Sequence, residues 1–206
     1  MQVRKSGSRW ARWISVALLL ALPGWAGAQG APAGAGAGVA TQPPHAPDSA
    51  VWAPRQTRFI FQGFTTHYSC DGLAYKVRKA LLQLGARPDL TVREVPCSSP
   101  FGRPDPFPGV TINMQVLVPL DPKSAPPDTP PVRTEWKTVT LSLDRDPVFA
   151  AGDCELVEQI KQHLLPLFTT RNVNYSSNCI PNQVQAGGTW LRTDVLVPLP
   201  QAAPQS

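Results

Sequence analysis

Long hydrophobic runs, basic clusters and compact chemical motifs are all scarce in this chain of 206 residues. Only residues 13–22 form a sustained apolar stretch, and that is short of the roughly 20 residues that cross a bilayer as a helix. Charged residues make up 16% of the chain and form no basic run or stripe, so the electrostatic footprint of nucleic-acid binding is missing. There is no Cys-x-x-Cys, no glycine-rich phosphate loop, no dinucleotide fingerprint and no Gly-x-Ser-x-Gly elbow. Their absence removes thioredoxin-type exchange, nucleotide chemistry of the common kinds and the usual serine-hydrolase turn. Histidine is confined to His45, His67 and His163, which leaves few groups that titrate near neutral pH.

What is present at the start reads as an export signal spanning residues 1–28. Arg4, Lys5, Arg9 and Arg12 precede the apolar stretch, Pro23 and Gly24 break it, and Ala26-Gly27-Ala28 supplies a small-x-small cleavage site. The sequence therefore predicts a periplasmic or secreted protein, with no transmembrane segment once the signal is removed. Those four basic residues account for most of the formal charge of +5, since the remainder balances fifteen basic against fourteen acidic side chains. Residues 29–56, rich in Ala, Gly and Pro, are expected to be a flexible tether, because they offer little apolar surface to offset the entropy of ordering. Residues 200–206 are expected to be a disordered tail. A single domain over residues 57–199 remains.

Within that domain the run Val-Leu-Val-Pro-Leu occurs at residues 116–120 and again at 195–199. Each copy closes a stretch that opens with a cysteine and a Leu-rich segment. In the first unit, 57–120, residues 58–64 read as a strand, and Leu73, Val77, Leu81 and Leu84 form a helical stripe ending at Gly85. A short strand follows at 90–95, and Val110, Ile112, Met114, Val116 and Val118 alternate as a half-buried strand. The second unit, 132–199, repeats the order. It has an alternating strand at 136–143 and a helix N-capped by Asp153 with Leu156, Ile160, Leu164 and Leu167 in its stripe. A strand at 170–175 and a final one through Leu191, Thr193, Val195 and Val197 complete it. One shift of the chain superposes Leu73 on Leu156, Leu81 on Leu164 and Leu84 on Leu167. A linker at 119–131 holds six prolines and cannot be a central strand. The prediction is an internally duplicated α+β fold of two β-α-β-β units, with a mostly antiparallel sheet and two helices on one face. One continuous sheet and two packed sheets satisfy the pattern equally.

Four cysteines in an exported chain imply two disulfides, and the duplication selects Cys70–Cys97 and Cys154–Cys179 from the three possible connectivities. Zinc would ask for closer cysteine pairs, so neither a metal nor another cofactor is expected.

Candidate site residues are few. His67 stands beside Ser69 and Asp71 before the first helix, where Ser69 or Asp71 is better placed to cap the helix than to complete a triad. Asp144, Asp146, Asp153, Glu155 and Glu158 cluster without the spacing of a calcium loop, and suit an acidic helix N-terminus. Phe101, Arg103 and Phe107 lie in a proline-rich loop that the second unit lacks, which makes them, with His67, candidates for binding. The chain is thus expected to be an exported non-catalytic binding or structural protein of the bacterial cell envelope, whose partner is another envelope protein or a surface polymer. The alternative is an exported hydrolase using His67 with Asp71 or a distant carboxylate.

Overall fold

A computed structural model describes residues 49–95, 104–120, 130–184 and 187–200. Strand β1 (Ala50–Ile60) pairs antiparallel with β3 (Gly109–Pro119), which pairs on its other side with the short β2 (Thr91–Glu94). Helix α1 (Cys70–Gln83) makes the crossover between β1 and β2, which run parallel on either side of β3. Strands β4 (Thr134–Ser142), β5 (Thr170–Ser176) and β6 (Trp190–Pro198) form a second sheet in the order β4-β6-β5. Between β4 and β5 lies α2 (Cys154–Gln159), which runs on through a π turn (Ile160–Leu164) and a 3-10 turn (Leu165–Leu167). The fold is α+β, and it has two three-stranded sheets in place of one continuous sheet. They touch edge to edge where Ala50 and Val132 exchange backbone hydrogen bonds of 2.8 and 2.7 Å.

The two sheets are built alike. In both, the last strand lies in the centre and the first strand's opening residue pairs with the proline of Val-Leu-Val-Pro-Leu: Ala50 with Pro119, Thr134 with Pro198. Just beyond, Leu120 N–H donates to the Ser49 carbonyl at 3.1 Å and Leu199 N–H to the Arg133 carbonyl at 2.9 Å. Burial runs in the same sequence along both central strands. Ile112, Met114 and Val116 point into the core from β3 as Leu191, Thr193 and Val195 do from β6, following the two-residue period of a strand. Leu117 and Leu196, on the opposite faces, are buried together with Ala50 in a second, smaller cluster that Trp52 and Trp136 flank. Arg87 stacks over Trp52 and Arg171 over Trp136, with 5.8 and 4.6 Å from guanidinium to ring centroid.

The helical stripes meet these inner faces in one contiguous core. Leu73, Val77 and Leu81 of α1 and Leu156, Ile160 and Leu164 of the second helical segment are all buried there. Gly85 ends α1 at a φ of 92°, while Gly85 N–H donates to Leu82 and Ala86 N–H to Leu81, the paired bonds of a Schellman cap. Among the described residues no helix is long and apolar enough to cross a membrane.

Three expectations need correction. Strand β1 begins at Ala50, inside the segment 29–56 expected to be a tether, and residues 61–64 expected as strand form a loop. Val51, Ala53, Arg55, Thr57 and Phe59 alternate toward β3's buried side, and Pro54 is tolerated because β1 is an edge strand. Asp153 precedes α2 but makes no side-chain cap bond; its carboxylate is used elsewhere, as described below. Residues 1–48, 96–103, 121–129, 185–186 and 201–206 lie outside the described residues, and with them the signal, most of the tether and linker, Cys97, Phe101 and Arg103.

Candidate functional site

The loops before the two helices are tied across the halves by polar side chains. Glu155, in the first turn of α2, is buried, and its Oε2 accepts from the N–H groups of Phe64 and Thr65 at 2.9 Å each. One turn on, Gln159 pairs with the backbone of Gln62 in both senses: Gln62 N–H donates to Oε1 at 3.1 Å, and Nε2 donates to the Gln62 carbonyl at 2.6 Å. A side chain at Gly63 would place its Cβ 2.7 Å from Glu155 Oε2, so this approach requires glycine. Thr66 Oγ1 donates to the Gly152 carbonyl at 2.9 Å, and Asn182 N–H donates to Thr65 Oγ1 at 3.0 Å.

Beneath this clasp sits Asp153, almost fully buried. It accepts from the Tyr68 hydroxyl, from Lys76 Nζ and from Ala150 N–H. Lys76 also donates to the Val148 carbonyl at 3.0 Å. Burial, and then the charge and hydrogen bond of Asp153, raise the Tyr68 phenol far above its ordinary value. A buried carboxylate holding a tyrosine, a lysine and a backbone amide is a structural tie between α1 and the entry to α2.

Where the clasp ends, a cleft of about 820 Å³ opens between β1 and the second helical segment. Residues 57–60 of β1 form one wall; Glu158, Gln159, Gln162 and His163 form the other, with Phe64 and Pro181 at the mouth. That volume falls within the roughly 300–1,000 Å³ usual for ligand clefts. The matching place in the other half, between β4 and the end of α1, holds only about 240 Å³. Phe64, which lines the large cleft, is 67% exposed, and Ile180 and Val184 stand out from the loop that Cys179 anchors to Cys154.

The candidates named from sequence divide accordingly. The disulfide Cys154–Cys179 is present, and such a bond is compatible with an oxidising compartment. Cys70, buried at the start of α1, is not a free thiol; its expected partner, Cys97, is outside the described residues. Ser69 caps α1 by accepting from Gly72 N–H at 3.3 Å, and Asp71 is held below the usual carboxylate range chiefly by its bond to Ser69. His67 is exposed, forms no hydrogen bond with Asp71 among the described residues and is not part of the large cleft's wall. Phe107 is exposed on a turn where its N–H donates to Asp105 Oδ1 at 2.9 Å. The acidic cluster is dispersed. Asp146 accepts from Val148 N–H, Asp144 from Gly188 N–H, and Asp153 and Glu155 serve the ties above. Among the described residues no group of three or more such side chains could hold a metal ion.

Gln62, Gln159 and the outer edge of β1 were not legible as a site. Their only sequence signal is the glycine in Gln62-Gly63-Phe64, which marks a close approach without saying to what. Comparison of the chain with protein-family models, with curated proteins and with solved structures gives no match in any of the three.

Proposed function

We propose that this is an exported, non-catalytic binding protein of the cell envelope, built on a duplicated β-α-β-β unit and binding through the cleft beside β1. The observation that carries this reading is the asymmetry of an otherwise matched scaffold. The same number of residues separates Trp52 from Trp136 and Arg87 from Arg171, and each Arg stacks on its own Trp in the same place. Those matches, with the equal strand register, support duplication of one unit. Against that common frame, one cleft is large and lined by the exposed Phe64, while its counterpart is small. Large apolar side chains held out on tied-down loops are the usual anchors of recognition surfaces. Export is supported by the signal-like N-terminus and by the Cys154–Cys179 bond.

The test is made on cells expressing the full chain with a photo-crosslinking residue at Phe64 or, as control, at Thr140. The protein is expected outside the cytosol, oxidised and beginning at Gln29, with a discrete adduct from position 64 alone. A reduced cytosolic protein retaining Met1 would overturn the export reading. Identical adducts from both positions, or none from either, would overturn the binding role.

A further inference from the structure

We propose that the outer edge of β1 is a strand-addition site for an extended peptide of a partner protein, one that sets a basic side chain toward Glu158. This deepens the binding role proposed above and rests on it. The direction of β1's backbone groups follows from its two ends. Ala50 exchanges both its bonds with Val132, away from β3, and Gln62 at the far end gives both of its groups to Gln159. Ser49 and Phe61 bond instead to Leu120 and Pro108, on the β3 side. Strand alternation therefore turns the N–H and C=O groups of Gln56, Arg58 and Ile60 outward too. Among the described residues those groups take no partner. Pro54, on the same edge, brings no N–H, and its carbonyl accepts from the Arg55 guanidinium at 3.1 Å.

The edge is thus stopped at both ends by strand-like partners and open between them, over around five residues of extended chain. Gln159 is the telling stop: its amide does for Gln62 what one residue of a neighbouring strand would do. In the second sheet the Ser142 carbonyl, which occupies the place of Arg58's, is already taken, since it accepts from Asp146 N–H at 3.2 Å. Unpaired edge groups facing a cleft recruit an extended backbone, with affinity from main-chain bonds and selectivity from alternate side-chain pockets. Glu158 supplies the selectivity. The other carboxylate of that wall, Glu155, is occupied by Phe64 and Thr65, while Glu158 has no hydrogen bond or ion pair among the described residues. Ile60, Phe64 and Pro181 offer apolar contact for the alternate side chains.

The experiment measures binding of defined peptides to the oxidised full chain by fluorescence anisotropy. The probes are the nine-residue (Val-Lys)4-Val, its Glu counterpart and the Lys peptide N-methylated at alternate amides. The Lys peptide is expected to bind at least tenfold more tightly than either. Arg58→Pro, and independently Gln56→Pro, should abolish binding with little change in melting temperature, since the N–H each loses points away from β3 and carries no ladder bond, while Arg58→Ala, which keeps that N–H, should still bind. Glu158→Gln should remove the preference for Lys and leave binding in place. Equal binding of the N-methylated peptide, or no binding of any probe, would overturn strand addition, and neither result depends on a variant folding. A disulfide-linked dimer formed by Arg58→Cys at micromolar concentration would overturn it in favour of a second copy. A discrete adduct from Phe64 in cells, with these peptide results negative, would leave the binding role standing and remove this inference alone.

Discussion

The two halves of the domain hold the same parts and finish them differently. Ser69 and Asp153 each stand just before a helix-opening cysteine. Ser69 turns back to cap its own helix, whereas Asp153 reaches across to Tyr68 and Lys76 of the other half. α1 ends cleanly in a Schellman cap at Gly85; α2 passes into a π turn and a 3-10 turn containing Pro166. Such π insertions often sit at functional positions, and here Gln162 and His163 of the π turn line the large cleft. The residues the halves share make strands, stripes and the Leu117–Leu196 contact. The residues they do not share join the halves and open one cleft more than the other.

The comparison breaks most visibly at the paired N-terminal positions. Asp153→Ala strips a buried tyrosine and a half-buried lysine of their common partner and is expected to destabilise the fold by about 3 kcal/mol, the lower end of the range for disrupting a buried ion pair. Ser69→Ala loses only a cap and should cost about 1 kcal/mol. Chemical denaturation of the two variants measures both; equal losses would mean that Asp153 acts as a simple cap after all.

Tyr68 sharpens the same contrast through pH. Its folded-state pKa is raised, so its contribution to stability is complete below about pH 10 and declines as the pH rises above that unfolded value. On alkaline titration followed at 295 nm, one phenol is expected to ionise only as the protein unfolds. Tyr68→Phe should remove that component, and a Tyr68 signal titrating freely near pH 10 in the folded protein would contradict the buried Asp153 network.

The smallest effects test what the halves have in common. Arg87→Ala removes a stacking contact with Trp52 and an exposed pair with Asp89, and should lower the melting temperature only slightly. Arg171→Ala loses the matching contact with Trp136 and a better sheltered bond to Asp194, and should cost about 1–2 kcal/mol. Melting curves in which only one variant is affected would weaken the equivalence of the two Trp–Arg pairs. Asp194 itself is held below the ordinary carboxylate range, first by the Thr138 hydroxyl and then by Asn172 and Arg171.

Much of the scaffold is written in local pattern. The alternation from Val110 to Val118, the stripes through Leu73 and Leu156, and the glycine at position 85 each follow from periods of two or of three to four residues, which the backbone imposes on its own neighbours. The repeated Val-Leu-Val-Pro-Leu marked the last strand of each unit, and the structure puts that strand at the centre of each sheet. The start of β1 was hidden because Ala53-Pro54 resembles a tether by composition, and only its edge position makes a proline harmless there.

The sequence by itself therefore determined the order of elements, their buried faces and the cysteine at the head of each helix. Tertiary structure alone decided that the strands divide into two sheets, that Asp153 serves the other half, and that Gln159 closes the edge of β1. Those outcomes depend on partners some 80 to 100 positions away along the chain. No local period encodes such a partner; it is fixed only when the halves pack and each buried polar group must find a bond.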